Sequence, residues 1–179
     1  GKDRRPALYA ASSAGAQLHR AKKDIEGFTD FTAESKLDTK SVQFTWLDVN
    51  RDGLADLVSY DGKALTVRLQ SADGTFTAAG KGFAHPLDAD CIAITPCSND
   101  GGPGVLISTN SQPILLAAGK DGWKKVELPE ADKAGPMMGA ALSPCVVADL
   151  DADGYVDILR PGDRDGDLWK GTAKGFAKP

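Results

Sequence analysis

The sequence predicts an all-β chain of repeated four-stranded antiparallel units, and three observations predict it. Two fifteen-residue segments match closely, Phe44 to Val58 and Cys145 to Leu159, with Asp48 of one and Asp149 of the other 101 residues apart. A glycine-aromatic turn recurs at Gly27-Phe28, Gly74-Thr75-Phe76, Gly122-Trp123 and Gly175-Phe176, with steps of 48, 47 and 53 residues between the aromatics. Gly 20 and Pro 10 are spread through the 179 residues, which suits short strands joined by tight turns. Two unrelated features sharing one period mark an internal repeat. A worn copy of the matched segment lies midway, at Pro96-Cys97-Ser98-Asn99-Asp100-Gly101-Gly102-Pro103-Gly104.

The elements follow in order. Residues Ala7 to Phe31 are the later strands of an incomplete first unit. The stretch from Thr29 to Thr39 is the best helical candidate, though short and irregular. The next unit opens with a strand over Val42 to Leu47 that runs into an Asp-rich loop. A second strand covers Ala55 to Ser59, and Asp61-Gly62 is a hairpin-closing dipeptide. From Ala64 to Leu69 the pattern alternates, with Leu65, Val67 and Leu69 on one face and Thr66, Arg68 and Gln70 on the other. The Ala72-Asp73-Gly74 turn then leads to a short outer strand near Phe76. The same order recurs over Cys91 to Val126 and again from Cys145, where Asp163-Arg164-Asp165-Gly166 reads as a hairpin tip rather than a third metal site.

Four short antiparallel strands per roughly fifty residues is the blade of a β-propeller. The expected organisation is a single segment over residues 1–179, with repeats at 1–40 (partial), 41–88, 89–140 and 141–179 (partial). That is about three and a half blades, where closed rings use four to eight. A segment of a longer protein is therefore expected, or a subunit whose ring another chain completes. The polar start, Gly1 to Pro6, has neither an initiator Met nor a signal peptide and is expected to be a processed, truncated or internal end.

Hydrophobic residues at 41% and charged residues at 26% are the composition of a soluble globular protein. A net charge of −4 argues against a nucleic-acid or anionic-membrane partner, and Lys22-Lys23 and Lys124-Lys125 read as solvated pairs. No apolar run approaches the roughly 18 residues needed to cross a bilayer, so the chain is not expected to be membrane-spanning. Cys91, Cys97 and Cys145 lack metal-ligand spacing; one disulfide is possible, and three buried or partly buried thiols are favoured.

The chemistry lies in two nine-residue loops. Positions 1, 3, 5 and 9 are Asp48, Asn50, Asp52 and Asp56 in the first, and Asp149, Asp151, Asp153 and Asp157 in the second. Oxygen ligands at alternate positions of a tight loop converge, and calcium takes six to eight oxygens at about 2.3–2.6 Å. Position 7, Leu54 or Tyr155, offers its backbone carbonyl, and Gly53 or Gly154 at position 6 provides positive φ. Two Ca2+ sites are expected, the second tighter because it carries one more carboxylate. An EF-hand needs a bidentate Glu at position 12 and flanking helices. Ser59 and Arg160 stand there, between strands. A dockerin-type loop fails on the same grounds, and thrombospondin-type repeats need many more cysteines.

These loops and the glycine-aromatic turns resemble the FG-GAP or VCBS repeats, which form the blades of integrin-α-like β-propellers. The stretch Gly27 to Ser35 is similar to bacterial members associated with ASPIC/UnbV-type proteins. The resemblance covers nearly the whole chain and implies calcium held by the side chains at positions 1, 3, 5 and 9 and the carbonyl at position 7. The middle copy departs from it: Pro96 and Gly104 replace the acids at positions 1 and 9, leaving Ser98 and Asp100, and no metal is expected there.

Neither His19 nor His85 has a nucleophile–acid set beside it in sequence, Ser143 lacks a Gly-x-Ser-x-Gly context, and no Walker or Rossmann loop occurs. The expected function is a non-enzymatic calcium-binding module that meets a protein or glycan partner through inter-blade loops. A structural subunit of a larger extracytoplasmic assembly is the first alternative, and a fragment of a propeller-type polysaccharide lyase or hydrolase the second. Low-affinity calcium loops suit an extracytoplasmic setting, periplasmic, surface or secreted.

Overall fold

The computed structural model describes residues 7–12, 14–23, 26–37, 40–87, 91–98, 102–131, 143–162 and 166–179. The expected hairpin tip at Asp163 to Asp165, and Asn99, Asp100 and Gly101 of the middle copy, lie outside them. The described residues are all-β in character, with several antiparallel sheets and one single-turn α-helix. None of their helices is long and apolar enough to cross a membrane. The chain divides into two compact units, Gly1–Pro86 and Leu87–Pro179.

In the first unit, β1 (Ala7–Ser12), β2 (Gly15–Ala21) and β3 (Phe28–Asp30) form a three-stranded antiparallel sheet. The helical candidate shortens to α1 (Thr32–Ser35), which Lys36 ends in the left-handed conformation at φ 61°. A second sheet follows in the order β4 (Gln43–Leu47), β5 (Asp56–Tyr60), β6 (Ala64–Gln70), β7 (Phe76–Ala78). A short strand, β8 (His85–Pro86), pairs with the start of β6 while β7 pairs with its end, so the two share one edge. The β5–β6 turn closes as its dipeptide requires. Gly62 sits at φ 99°, and the Asp61 carboxylate accepts the Lys63 and Ala64 amides at 2.9 Å each. Those bonds hold its carboxyl below the usual carboxylate range.

Leu18, Leu37, Leu57 and Phe76 form this unit's buried cluster, with Tyr9, Phe31, Phe44 and Trp46 against it. Tyr9 meets Phe44 edge-on at 4.8 Å and Trp46 at 5.4 Å, the T-shaped geometry that ring quadrupoles favour. On the opposite face of the second sheet, Val58, Leu65 and Val67 are also buried. Both faces of that sheet therefore carry buried apolar side chains.

In the second unit, β9 (Cys91–Pro96), β10 (Gly104–Thr109), β11 (Ile114–Gly119) and β12 (Gly122–Val126) form a four-stranded sheet. β13 (Val146–Ala148), β14 (Asp157–Arg160) and β15 (Asp167–Trp169) form a three-stranded one, and β16 (Gly171–Thr172) pairs with β17 (Gly175–Phe176). β10 is buried along its whole length, and Leu106, Leu115, Leu128, Ile158, Trp169, Cys97 and Cys145 form the unit's core. The fully buried Trp169 ring needs an acceptor for its N–H and finds the Pro129 carbonyl at 2.7 Å. Arg160 is buried but satisfied: its Nε and Nη2 donate to Asp167, its cross-strand partner, and its Nη1 to the Ser111 carbonyl. All three cysteines are free thiols. Burial pushes Cys91 and Cys97 up to about 11 and also raises Cys145, which suits packing rather than reactivity.

Candidate metal centre

Each Asp-rich loop spans the gap between the first and second strands of its sheet, β4 to β5 and β13 to β14. The chain must reverse within eight residues there, and it does so through two left-handed positions. Gly53 and Gly154 at position 6 have φ 83° and 89°. Position 4 is left-handed as well, at Arg51 (φ 63°) and Ala152 (φ 60°), which costs a side-chain-bearing residue about 1–2 kcal/mol. Nothing in those residue types signals it.

Five hydrogen bonds recur in the two loops with the same donors and acceptors. The position 1 carboxylate accepts the amides of positions 5 and 6: Asp48 from Asp52 (3.0 Å) and Gly53 (2.9 Å), Asp149 from Asp153 (3.1 Å) and Gly154 (3.0 Å). The position 5 carboxylate accepts the position 7 amide, Asp52 from Leu54 (2.8 Å) and Asp153 from Tyr155 (2.9 Å). The remaining two bonds belong to position 9. Asp56 accepts the Val49 amide at 2.9 Å and the Gln70 amide at 2.8 Å; Asp157 accepts Leu150 at 2.9 Å and Gly171 at 2.8 Å. Both carboxylates are buried, and each ties the start of its own loop to a residue fourteen positions further on. Burial pushes the Asp56 carboxyl above its usual value, with the Gln70 and Val49 amides pulling it back and the Asp52 charge adding to the rise. In the metal-free chain this raised group contributes stability at low pH that is lost as pH rises through its folded value. A cation held beside it would favour the ionised form, and protonation of Asp56 would oppose it.

The middle copy shows what position 9 does for the fold. Gly104 stands there because any side chain would collide: a Cβ would lie 2.7 Å from the Leu116 carbonyl oxygen and 2.8 Å from that of Cys97. The two amides that meet a carboxylate elsewhere find backbone instead. Cys97 N–H donates to the Gly104 carbonyl at 2.9 Å, and Ala118 N–H, fourteen residues beyond Gly104, donates to the Pro103 carbonyl at 2.8 Å. The same two donors need acceptors in every copy, and close backbone approach replaces the aspartate here.

For metal binding, the second loop brings together Asp149, Asp151 and Asp153, with one carboxylate oxygen of each within 4.8 Å of the others. Two oxygens on one calcium can be no more than about 5 Å apart, so these three fit a single ion. Asp157 is turned inward to the backbone instead, and Tyr155 is exposed beside the cluster. In the first loop Asn50 substitutes an amide for a carboxylate. Its Oδ1 accepts the Asp52 amide at 3.1 Å and its Nδ2 donates to Asp52 Oδ2 at 2.9 Å, an arrangement an ion would have to open. Leu54 is half-buried at position 7.

The extra carboxylate of the second loop does not stand alone. Lys170 Nζ lies 2.9 Å from Asp151 Oδ2, which holds the Asp151 carboxyl low and the Lys170 ammonium high. The equivalent residue of the first unit, one before Gln70, is Leu69. Asn50 is thus matched with Leu69, and Asp151 with Lys170. Arg51 at position 4 adds a cation to the first loop as Lys170 does to the second. Four carboxylates and one lysine still stand against three carboxylates and one arginine, and the second loop keeps one more negative charge.

In chelator, Asp56→Ala or Asp157→Ala is expected to cost about 1–3 kcal/mol in urea unfolding, because two amides lose their acceptor. Asp52→Ala, at an exposed position, should stay within about 0.5 kcal/mol. Lys170→Leu should tighten calcium binding by the second loop about two- to fivefold at low salt, as read by titration of an Asp52→Ala background.

No family model and no curated protein matches the chain.

Proposed function

We propose that the chain is a calcium-stabilised, non-enzymatic interaction module built of β-propeller blades. The observation that carries this reading is the convergence of the Asp149, Asp151 and Asp153 oxygens within 4.8 Å on a loop whose backbone pattern the Asp48 to Asp56 loop repeats. Calcium is bound at both loops, by Asp48, Asn50 and Asp52 in the first and by Asp149, Asp151 and Asp153 in the second, with the Leu54 and Tyr155 carbonyls completing the shells. Asp56 and Asp157 serve both purposes, since a carboxylate oxygen that accepts one amide keeps a second lone pair for the ion. The sheets are read as parts of blades in a ring that further blades complete, from the same protein or from another chain. Loops between blades meet a protein or glycan partner, in an extracytoplasmic setting where calcium is plentiful.

A ligand bound only by the folded state raises stability by mass action. Thermal melting with calcium and with excess chelator tests the reading. Calcium at about 100 times its dissociation constant should add about 2.7 kcal/mol per site and raise the melting temperature by several degrees. Identical melting curves in the two conditions would sink the proposal.

A further inference from the structure

Beside the first loop, within the Gly1–Pro86 unit, lies a cleft of about 320 Å³. Tyr9, Arg20, Trp46, Gln70 and Phe76 line it, and the exposed Ala7 and Ala55 leave it open to solvent. The repeat itself makes this cleft. A counterpart in the second unit is lined by Val156, Gly171 and Phe176, the equivalents of Ala55, Gln70 and Phe76. What distinguishes the first is an arginine held against an aromatic ring. The Arg20 guanidinium sits 3.8 Å above the Phe31 ring and packs over Gly74, where a Cβ would come within 2.7 Å of Nη2. Gly74 is also at φ 85°, so the position suits glycine on both counts. Asp73, the acid of that turn, is committed to the Thr75 amide and hydroxyl at 2.9 and 2.7 Å. Among the described residues, Arg20 meets no carboxylate, and the Gln70 side-chain amide makes no hydrogen bond.

We infer that this cleft is a subsite for a saccharide residue bearing a carboxylate, a hexuronic acid. The volume lies at the low end of the range of about 300–1,000 Å³ for small-molecule sites, which is room for one ring. Tyr9 and Trp46 offer aromatic surface to the apolar face of a pyranose. Gln70 supplies a donor and an acceptor for adjacent hydroxyls, and Arg20 grips the carboxylate with a planar fork that its stack on Phe31 pre-orients. Calcium at the first loop acts on the same site indirectly, because the Gln70 amide is tied to Asp56. The inference rests on the interaction-module part of the proposed function and names the ligand class of one cleft.

The test is titration of the calcium-loaded chain with methyl glucuronide, methyl glucoside and sodium benzoate, followed by amide chemical shifts. Saturable binding of methyl glucuronide is expected, with shifts centred on Tyr9, Arg20, Trp46 and Gln70. Methyl glucoside should bind about tenfold more weakly or worse, and Arg20→Gln should lose about tenfold for the glucuronide with little change for the glucoside. Gln70→Leu, which leaves the Arg20 stack intact, should weaken both saccharides. Absence of saturable glucuronide binding would overturn the inference. So would unchanged affinity in the two variants, or benzoate binding as tightly as the glucuronide. No glucuronide binding in a chain whose melting still responds to calcium refutes the subsite alone; glucuronide binding without a calcium response refutes the calcium reading alone.

Discussion

The loops depend on one constraint: two backbone amides at the mouth of each must be given an acceptor. In the first and second Asp-rich loops a buried aspartate supplies it, Asp56 or Asp157, with one oxygen for each amide. In the middle copy two backbone carbonyls supply it, and a glycine replaces the acid so that the strands can close in. An unmade bond at a buried amide costs about 1–3 kcal/mol, so the choice is between a carboxylate and a closer backbone, never neither. Position 9 is thus a buckle between strands before it is anything else.

That ordering changes how the acidic loops are understood. Clustered carboxylates repel, and the structure relieves the repulsion with amide donors at positions 5, 6 and 7 and, in the second loop, with Lys170. The metal-free loop therefore has a defined fold, held by its own backbone. A cation arriving at Asp149, Asp151 and Asp153 would meet three carboxylates already within 4.8 Å of one another, with Lys170 competing for Asp151. Each loop has one side-chain contact for such an ion to release, Lys170–Asp151 in the second and Asn50–Asp52 in the first, both at 2.9 Å.

Much of this was legible in the residues. Strand alternation located β6 to within one residue, with Leu65 and Val67 buried, and Asp61-Gly62 marked its turn correctly. The matched segments located the loops, and their glycines marked the left-handed turn at position 6. Other features were not legible, for physical reasons. The left-handed position 4 is occupied by Arg51 and Ala152, whose side chains carry no preference for it. The Lys170–Asp151 pair spans 19 residues and depends on where β15 ends. Position 9 had a second role because the partner amides, at Gln70 and Gly171, are defined only once the third strand has folded back. The Arg20 site needed three separate segments, around Arg20, Phe31 and Gly74, to come together.

Calorimetric titration of the metal-free chain with calcium tests the central claim most directly. Two bound ions are expected in the natural sequence, and one in each of Asp52→Ala and Asp153→Ala, with the lost site on the altered loop. A titration without binding heat at any temperature, or a stoichiometry that neither substitution changes, would contradict the assignment of calcium to these loops.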